Sequence, residues 1–370
     1  RKANSWKRST AMRNNRWGLI PLVLSLVLSL AGCAQKAPEE TGDGTVISSY
    51  SSDDYQTLLP HELSEGRYWR GNTNSRFDLM QMPKELIELS KQHFSVKDNY
   101  LQAGQILEYE DIQELQRYES SDHSYGLNPS GNFEISDAII LERPYIVYGI
   151  VEIDFISKED QKTLNGISVG ILMNSSVTSG DSTVQIPQDK LYTYASTIGR
   201  KLERYFRNKA EVDADLPIYI TFYSSNSTSS SVPGAFIGQG LFTSRSGQFT
   251  PIEEQWVLIP SDQATALDGV LSSQFSTVKA GVKDFMPENV NIIGKARYTN
   301  DTADYLKITV TVQAKSYTEI YSLMQLLNEL SANFSSTDME LIIEIKQLEE
   351  TVMILHREKG TMKTTVLDIS

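Results

Sequence analysis

One side chain in this sequence has neighbours that reveal its chemistry: Cys33, the single cysteine among 370 residues. A thiolate is a strong nucleophile and can accept an acyl-glycerol group as a thioether. Directly ahead of it stand Leu30, Ala31 and Gly32, and the two small residues let an extended backbone enter a peptidase site. Upstream, residues 19–31 (LIPLVLSLVLSLA) form a short apolar run after a basic stretch holding Arg1, Lys2, Lys7, Arg8, Arg13 and Arg16. A basic segment, a short apolar segment and small residues before a cut describe a secretory signal. A spanning helix needs roughly twenty apolar residues, so this run is too short for a stable transmembrane anchor.

The expected chemistry is therefore lipidation. Leu30-Ala31-Gly32-Cys33 reads as a lipobox, cut between Gly32 and Cys33, leaving Cys33 as a lipidated N-terminus. The partners implied are a diacylglyceryl transferase and a peptidase of the signal peptidase II type. Two or three acyl chains, palmitate among them, anchor stably where one would not. The expected address is the outer face of the cell membrane. Met12 begins MRNNRWG, itself a good basic segment, so residues 1–11 are expected to lie upstream of the start.

No other residues converge on a reaction. His61, His93, His123 and His356 show no metal-ligand spacing such as HExxH, and each reads as a surface or structural residue. One cysteine closes no internal disulfide and builds no zinc site, which suits a Gram-positive cell surface. Gly234-Ala-Phe-Ile-Gly238-Gln-Gly240 misses the GxGxxG spacing and reads as turns beside a strand. Glu253-Glu254 and Asp213/Asp215 could form a carboxylate site, but in so acidic a chain they read as solvated surface acids. No GxSxG elbow occurs. No catalytic residue, metal or cofactor is assigned, and the chain is expected not to be an enzyme. Eighteen tyrosines favour a recognition surface, although Tyr194, Tyr205 and Tyr321 fall on the inner faces of helices.

The net charge is −13; taking away the six cations of residues 1–32 leaves 28 Lys and Arg against 47 acids, about −19. Such a surface repels nucleic acid and anionic lipid alike, so neither is an expected partner of the folded part.

The elements follow from periodicity. Residues 34–52 are polar and read as a tether carrying the lipid. Residues 83–94 and 108–118 read as short helices, the first with Pro83 in its opening turn. Residues 119–135 read as a long loop, 145–156 and 166–177 as strands, 188–208 as an amphipathic helix, and 216–224 and 256–260 as strands. A helix follows from Asp262, as N-cap, to Phe285, with Leu267, Val270, Leu271, Phe275, Val278 and Val282 inward. Two strands, a helix over 317–334 with Tyr321 inward, and three closing strands complete the chain. This order predicts an α+β fold, with mixed or antiparallel sheets, helices packed on them and two subdomains, 53–260 and 261–370.

Five segments, in order, carry a resemblance: Tyr55–Pro60 (YQTLLP), Gly126–Ser130 (GLNPS), Gly166–Asn174 (GISVGILMN), the stretch Leu216–Phe236 running into VPGAFIGQG, and Leu258–Ser261 (LIPS). Together they resemble the CamS family, sex-pheromone-precursor lipoproteins of Firmicutes, from the lipobox to about residue 315. The resemblance implies that pheromone activity belongs to a hydrophobic peptide released from the cleaved signal. By position that peptide is Leu26, Val27, Leu28, Ser29, Leu30, Ala31 and Gly32. It implies no activity for the folded part. The alternative is an extracytoplasmic binding module for a peptide or cell-wall ligand, with no pheromone role.

Overall fold

β-Branched and aromatic residues crowd the middle of the chain, and there the long strands form. The structure, a computed structural model, describes residues 45–370 except 48, 50, 67–77, 180, 181, 227–229, 245 and 289. The lipobox, Cys33 and the peptide Leu26–Gly32 lie outside the described residues. Residues 40–370 form one compact unit.

Its first half runs β1 (Thr45–Ile47), β2 (Gln56–Leu59), α1 (Asp78–Ser90), β3 (Asn99–Ala103), α2 (Tyr109–Leu115), β4 (Phe133–Ser136), β5 (Ile139–Leu141), β6 (Val147–Ser157), β7 (Leu164–Asn174), β8 (Ser176–Ser179), β9 (Ser182–Gln185), α3 (Gln188–Arg207), β10 (Ile218–Ser225), β11 (Ala235–Phe242) and β12 (Thr250–Pro251). The second half runs β13 (Glu254–Ile259), α4 (Asp262–Leu267), α5 (Gly269–Phe285), β14 (Val290–Thr299), β15 (Thr302–Val312), α6 (Tyr317–Leu330), β16 (Glu340–Gln347), β17 (Glu350–Arg357) and β18 (Thr365–Asp368).

Two main sheets result. The first has the order β1-β2-β3-β6-β7-β10-β11-β12, parallel only at β2/β3 and β7/β10. Every residue of β6 is buried, because helices cover both faces of the sheet. On one face α3 packs Leu191, Ile198, Leu202 and Phe206 against Ile167, Val169 and Phe222. On the other α1 brings Met82 and Leu86 to Val151, Phe155 and Tyr219. That approach is close enough that a Cβ on Gly170 would meet the Met82 methyl at 1.8 Å.

The second sheet, β13-β14-β15-β16-β17-β18, is antiparallel except at β15/β16, which α6 connects. Burial alternates along β14 and β15. One face holds the core with Phe275, Val278, Leu323 and Leu327, and the other stays partly open. The fold is α+β, with mixed sheets and helices packed on them.

Several expected boundaries move. Thr45–Ile47, expected inside the tether, pairs antiparallel with β2. Pro83 sits inside α1, not in its opening turn, because the helix already begins at Asp78. The helix expected from Asp262 to Phe285 is two. Ser261 caps the first through the Ala264 N–H at 3.0 Å, and Asp268 caps the second through the Leu271 N–H at 2.9 Å. That break turns Val270 outward, 69% exposed. On α6 Tyr321 is likewise outward, 49% exposed, and Leu323 takes the core position. Strand β13, which ends just before residue 260, already pairs with β14 as the edge of the second sheet. Gly234–Gly240, expected as turns, lies mostly within β11 itself.

Candidate functional site

Buried charge gathers where the two sheets meet. Arg297 on β14 stands between Trp256 of β13 and Tyr305 of β15 in the strand register. Its Nε donates to Asp304 Oδ1 at 2.8 Å and its Nη2 to Asp304 Oδ2 at 3.1 Å. Its Nη1 donates across to Glu85 Oε1 of α1 at 2.5 Å. Glu85 also accepts from Gln81 Nε2 at 2.6 Å. Asp78, about two turns earlier on the same face of α1, accepts from the Tyr223 hydroxyl at 2.8 Å and the Gly234 N–H at 2.9 Å. Glu254 accepts from the Phe236 N–H at 3.3 Å. Helix α1 and strands β10 and β11 are thus bonded to the second sheet and to each other through charged groups.

Burial sets the protonation of these acids. It pushes Glu85 upward, with Arg297 pulling partly back. Burial, and then the charge of Glu85, raise Glu254 well above the usual carboxylate range. Burial opposes the Arg297 charge, but its bonds to Asp304 and the charge of Glu85 outweigh that and raise its proton affinity.

Beside this junction opens a cleft of about 300 Å³. Lys295, Lys307 and Lys346 line its sheet side with Trp256 and Tyr305, while Gln81 and Pro233 face it from the first half. Lys295 and Lys307 are direct cross-strand partners. Lys307 and Lys346 both lean on Glu344, at 3.0 and 3.7 Å. Burial, then the charges of Lys307 and Lys346, lower the proton affinity of Lys295. Positive charge is therefore concentrated here in a chain of net charge −13. Trp256 meets Tyr305 edge-on, with ring centroids 5.5 Å apart.

A second buried pair sits on β6. Glu152 accepts from the Ile106 and Leu107 N–H groups, both at 2.9 Å, and Asp154 from the Gln105 N–H at 2.8 Å. Burial, then the charge of Glu152, hold Asp154 well above the usual range. Both carboxyls thus pin the loop leaving β3, and a Cβ on Gly104 would strike Glu152 at 2.4 Å. Glu152 also borders a mostly apolar cavity of about 420 Å³ with His61 at its rim.

The residues weighed in the sequence take plain places. His93 packs its ring 4.4 Å from that of Tyr219, and burial lowers its pKa. His123 Nδ1 lies 2.7 Å from Glu114, and His356 Nε2 lies 2.9 Å from Glu340. Asp213 and Asp215 are exposed. Glu254 corrects the expectation of a solvated acid, because strand alternation leaves Glu253 outside and turns Glu254 into the junction. Tyr194 and Tyr205 do face inward, their hydroxyls donating to Leu127 O and Asp111. Asn128, in the GLNPS segment, was passed over in the sequence. Its Oδ1 accepts from the Ile146 and Val147 N–H groups, and its Nδ2 donates to Gln116 O and Val147 O. The Arg297 network was missed as well; a cation in mid-strand, at an alternating position, is the one signal that pointed to it. Among the described residues no helix is long and apolar enough to cross a membrane, and no cluster of His, Cys, Asp or Glu could hold a metal.

Fold and junction define a class: an α+β protein of two mixed sheets joined through buried ion pairs. The chain belongs to the CamS sex pheromone cAM373 precursor family, whose model matches residues 63–363. It is similar to the crystal structure of a sex pheromone precursor from Lactobacillus salivarius subsp. salivarius UCC118, with TM-score 0.76 and 25% identity over 88% of this chain and 99% of that one. The C-terminal domain of the sex pheromone staph-cAM373 precursor from Staphylococcus aureus shares the fold, with TM-score 0.67 and 19% identity over 81% of this chain and 98% of that one. No curated protein matches the chain.

Proposed function

We propose that this family member is made as a lipoprotein precursor whose signal segment is the source of a short hydrophobic peptide. Cys33 carries the lipid, cleavage falls between Gly32 and Cys33, and Leu26–Gly32 is the peptide released. The folded part then stands at the outer face of the cell membrane. The observation that carries this reading is the conjunction of Leu30-Ala31-Gly32-Cys33, directly after a thirteen-residue apolar run (19–31), with the pheromone-precursor match over residues 63–363. In this reading the folded part is not an enzyme and no ligand is assigned to it. The buried Glu152 and Asp154 support that, since their oxygens hold backbone N–H groups of a loop.

Mass spectrometry of the membrane fraction from cells making wild type or Cys33→Ala tests the anchor. The expected result is a diacylglyceryl-modified N-terminal peptide beginning at Cys33, absent from the variant, with LVLSLAG in the medium. An unmodified Cys33, or an intact 1–32 segment, overturns the reading. The reading as a binding module is favoured by one feature, the lysine-lined cleft beside Arg297.

A further inference from the structure

We infer that Met362 is a site of reversible oxidation: its thioether takes an oxygen atom from a peroxide, and the resulting sulfoxide binds the buried guanidinium of Arg357. The inference is independent of the signal peptide and of its fate.

Arg357 closes β17, where the register sets it opposite Leu341, a residue of the second sheet's core. It is 1% exposed. Its Nη1 donates to Phe334 O at 2.7 Å and its Nη2 to Ser336 O at 3.0 Å. The Gly360 N–H adds a bond to Thr337 O at 2.7 Å, so the turn after β17 is fastened to residues 334–337, which lead into β16. All three acceptors are neutral carbonyls. Among the described residues no carboxylate pairs with the guanidinium, and its Nε finds no acceptor. Burial acts on the charge unopposed and lowers its proton affinity. A buried cation held by carbonyls gains from any stronger acceptor that reaches it.

Met362 supplies the remaining hydrogen bond, its Sγ accepting from Arg357 Nη1 at 3.5 Å. A thioether sulfur is only a weak acceptor. Met362 is also 44% exposed, so an oxidant in solution reaches it. Among the described methionines only Met80 on α1, at 70%, is comparably open, and the other six are at most 6% exposed.

The chemistry is a two-electron oxygen transfer. The sulfur attacks one oxygen of hydrogen peroxide, and an S–O bond forms as the O–O bond breaks. The departing hydroxide takes the proton from the transferred oxygen and leaves as water; sulfur is oxidised and peroxide reduced. The new oxygen is a strong acceptor, one bond away from an atom that already touches Nη1, and a charged donor makes such a bond about twice as strong as a neutral one. Oxidation of a core methionine disrupts packing. Met362 has little packing to lose, so here the modification tightens the turn against residues 334–337.

The test is treatment of the full chain, in non-ionic detergent, with hydrogen peroxide at a dose that spares the buried methionines. Mass spectrometry of peptides assigns the sulfoxides, and hydrogen exchange follows the amides of residues 357–362. Met362 is expected to oxidise, and exchange of the Gly360 amide to slow severalfold. Methionine sulfoxide reductases acting on both epimers are expected to restore the original rate. Met362→Leu should abolish the slowing while Met80→Leu leaves it intact. Met362→Gln, which carries a carbonyl oxygen on an unbranched chain, should reproduce the slowing without peroxide, an outcome that general oxidative damage does not produce. Oxidation of Met362 no faster than that of the buried methionines overturns the inference. So does unchanged or faster exchange once the sulfoxide has formed, or slowing that persists in Met362→Leu.

Discussion

At the scale of single residues, stability in this protein hangs on polar groups that are buried and fully engaged. Asn128 uses its carbonyl for two N–H groups and its amide for two carbonyls, joining the GLNPS loop to the start of β6. Asn128→Asp would set a carboxylate oxygen against the Gln116 and Val147 carbonyls. A cost of about 2–4 kcal/mol is expected, read as a lower urea midpoint with an unchanged slope. Arg297 is the matching case among charges. Arg297→Met strands Glu85 beside Glu254 and Asp304, and removing one partner of a buried pair costs about 3–5 kcal/mol. If the melting temperature of Arg297→Met matches wild type, the junction is not held by its ion pairs.

At the scale of elements, caps and close approaches decide where helices stop. The break between α4 and α5 exists because Asp268 leaves helical geometry and accepts the Leu271 N–H. Asp268→Ala should cost about 1 kcal/mol in denaturant unfolding. Asp262→Ala should cost less than about 0.5 kcal/mol, because Ser261 and not Asp262 is the cap. The reverse ranking would mean the single long helix is the better description. On α1 the controlling contact is Met82 against Gly170, so α1 lies flat on β7 only while position 170 carries no side chain.

At the scale of the whole molecule, buried acids set a pH response. Glu254 and Asp154 bind their protons more tightly in the folded chain than the ordinary values of 4.5 and 3.8, chiefly through burial. Their contribution to stability is complete below those ordinary values and fades as pH climbs through the raised ones. Asp111 and Glu344 work the other way: burial opposes their charge, but bonds from Lys209 and Tyr205, and from Thr351 and Lys307, hold both below their ordinary values. Their share is present above the ordinary carboxylate range and lost on acidification. The unfolding free energy should therefore peak in mildly acidic solution and decline toward neutral pH. Glu254→Gln keeps the acceptor for the Phe236 N–H and should flatten that decline; a urea midpoint series across pH on both proteins decides it.

How much was legible in the sequence differs by kind of information. Local patterns determined the strands around Tyr148, Val169 and Ile220, the long helix carrying Leu191 to Phe206, and the α+β class, because these rest on periodicity and side-chain type within a short window. The same is true of the family, carried by short segments such as YQTLLP and GLNPS, although their physical reason was not visible there. Tertiary structure alone decided what Asn128 bonds, that Glu254 is buried while Glu253 is not, and that Tyr321 faces outward. It also brought Glu85 to Arg297, some two hundred positions apart, and set Lys295, Lys307 and Lys346 around one cleft. The reason is geometric: a residue's periodicity says which side of its own element it occupies, but only strand register and helix placement say what stands opposite.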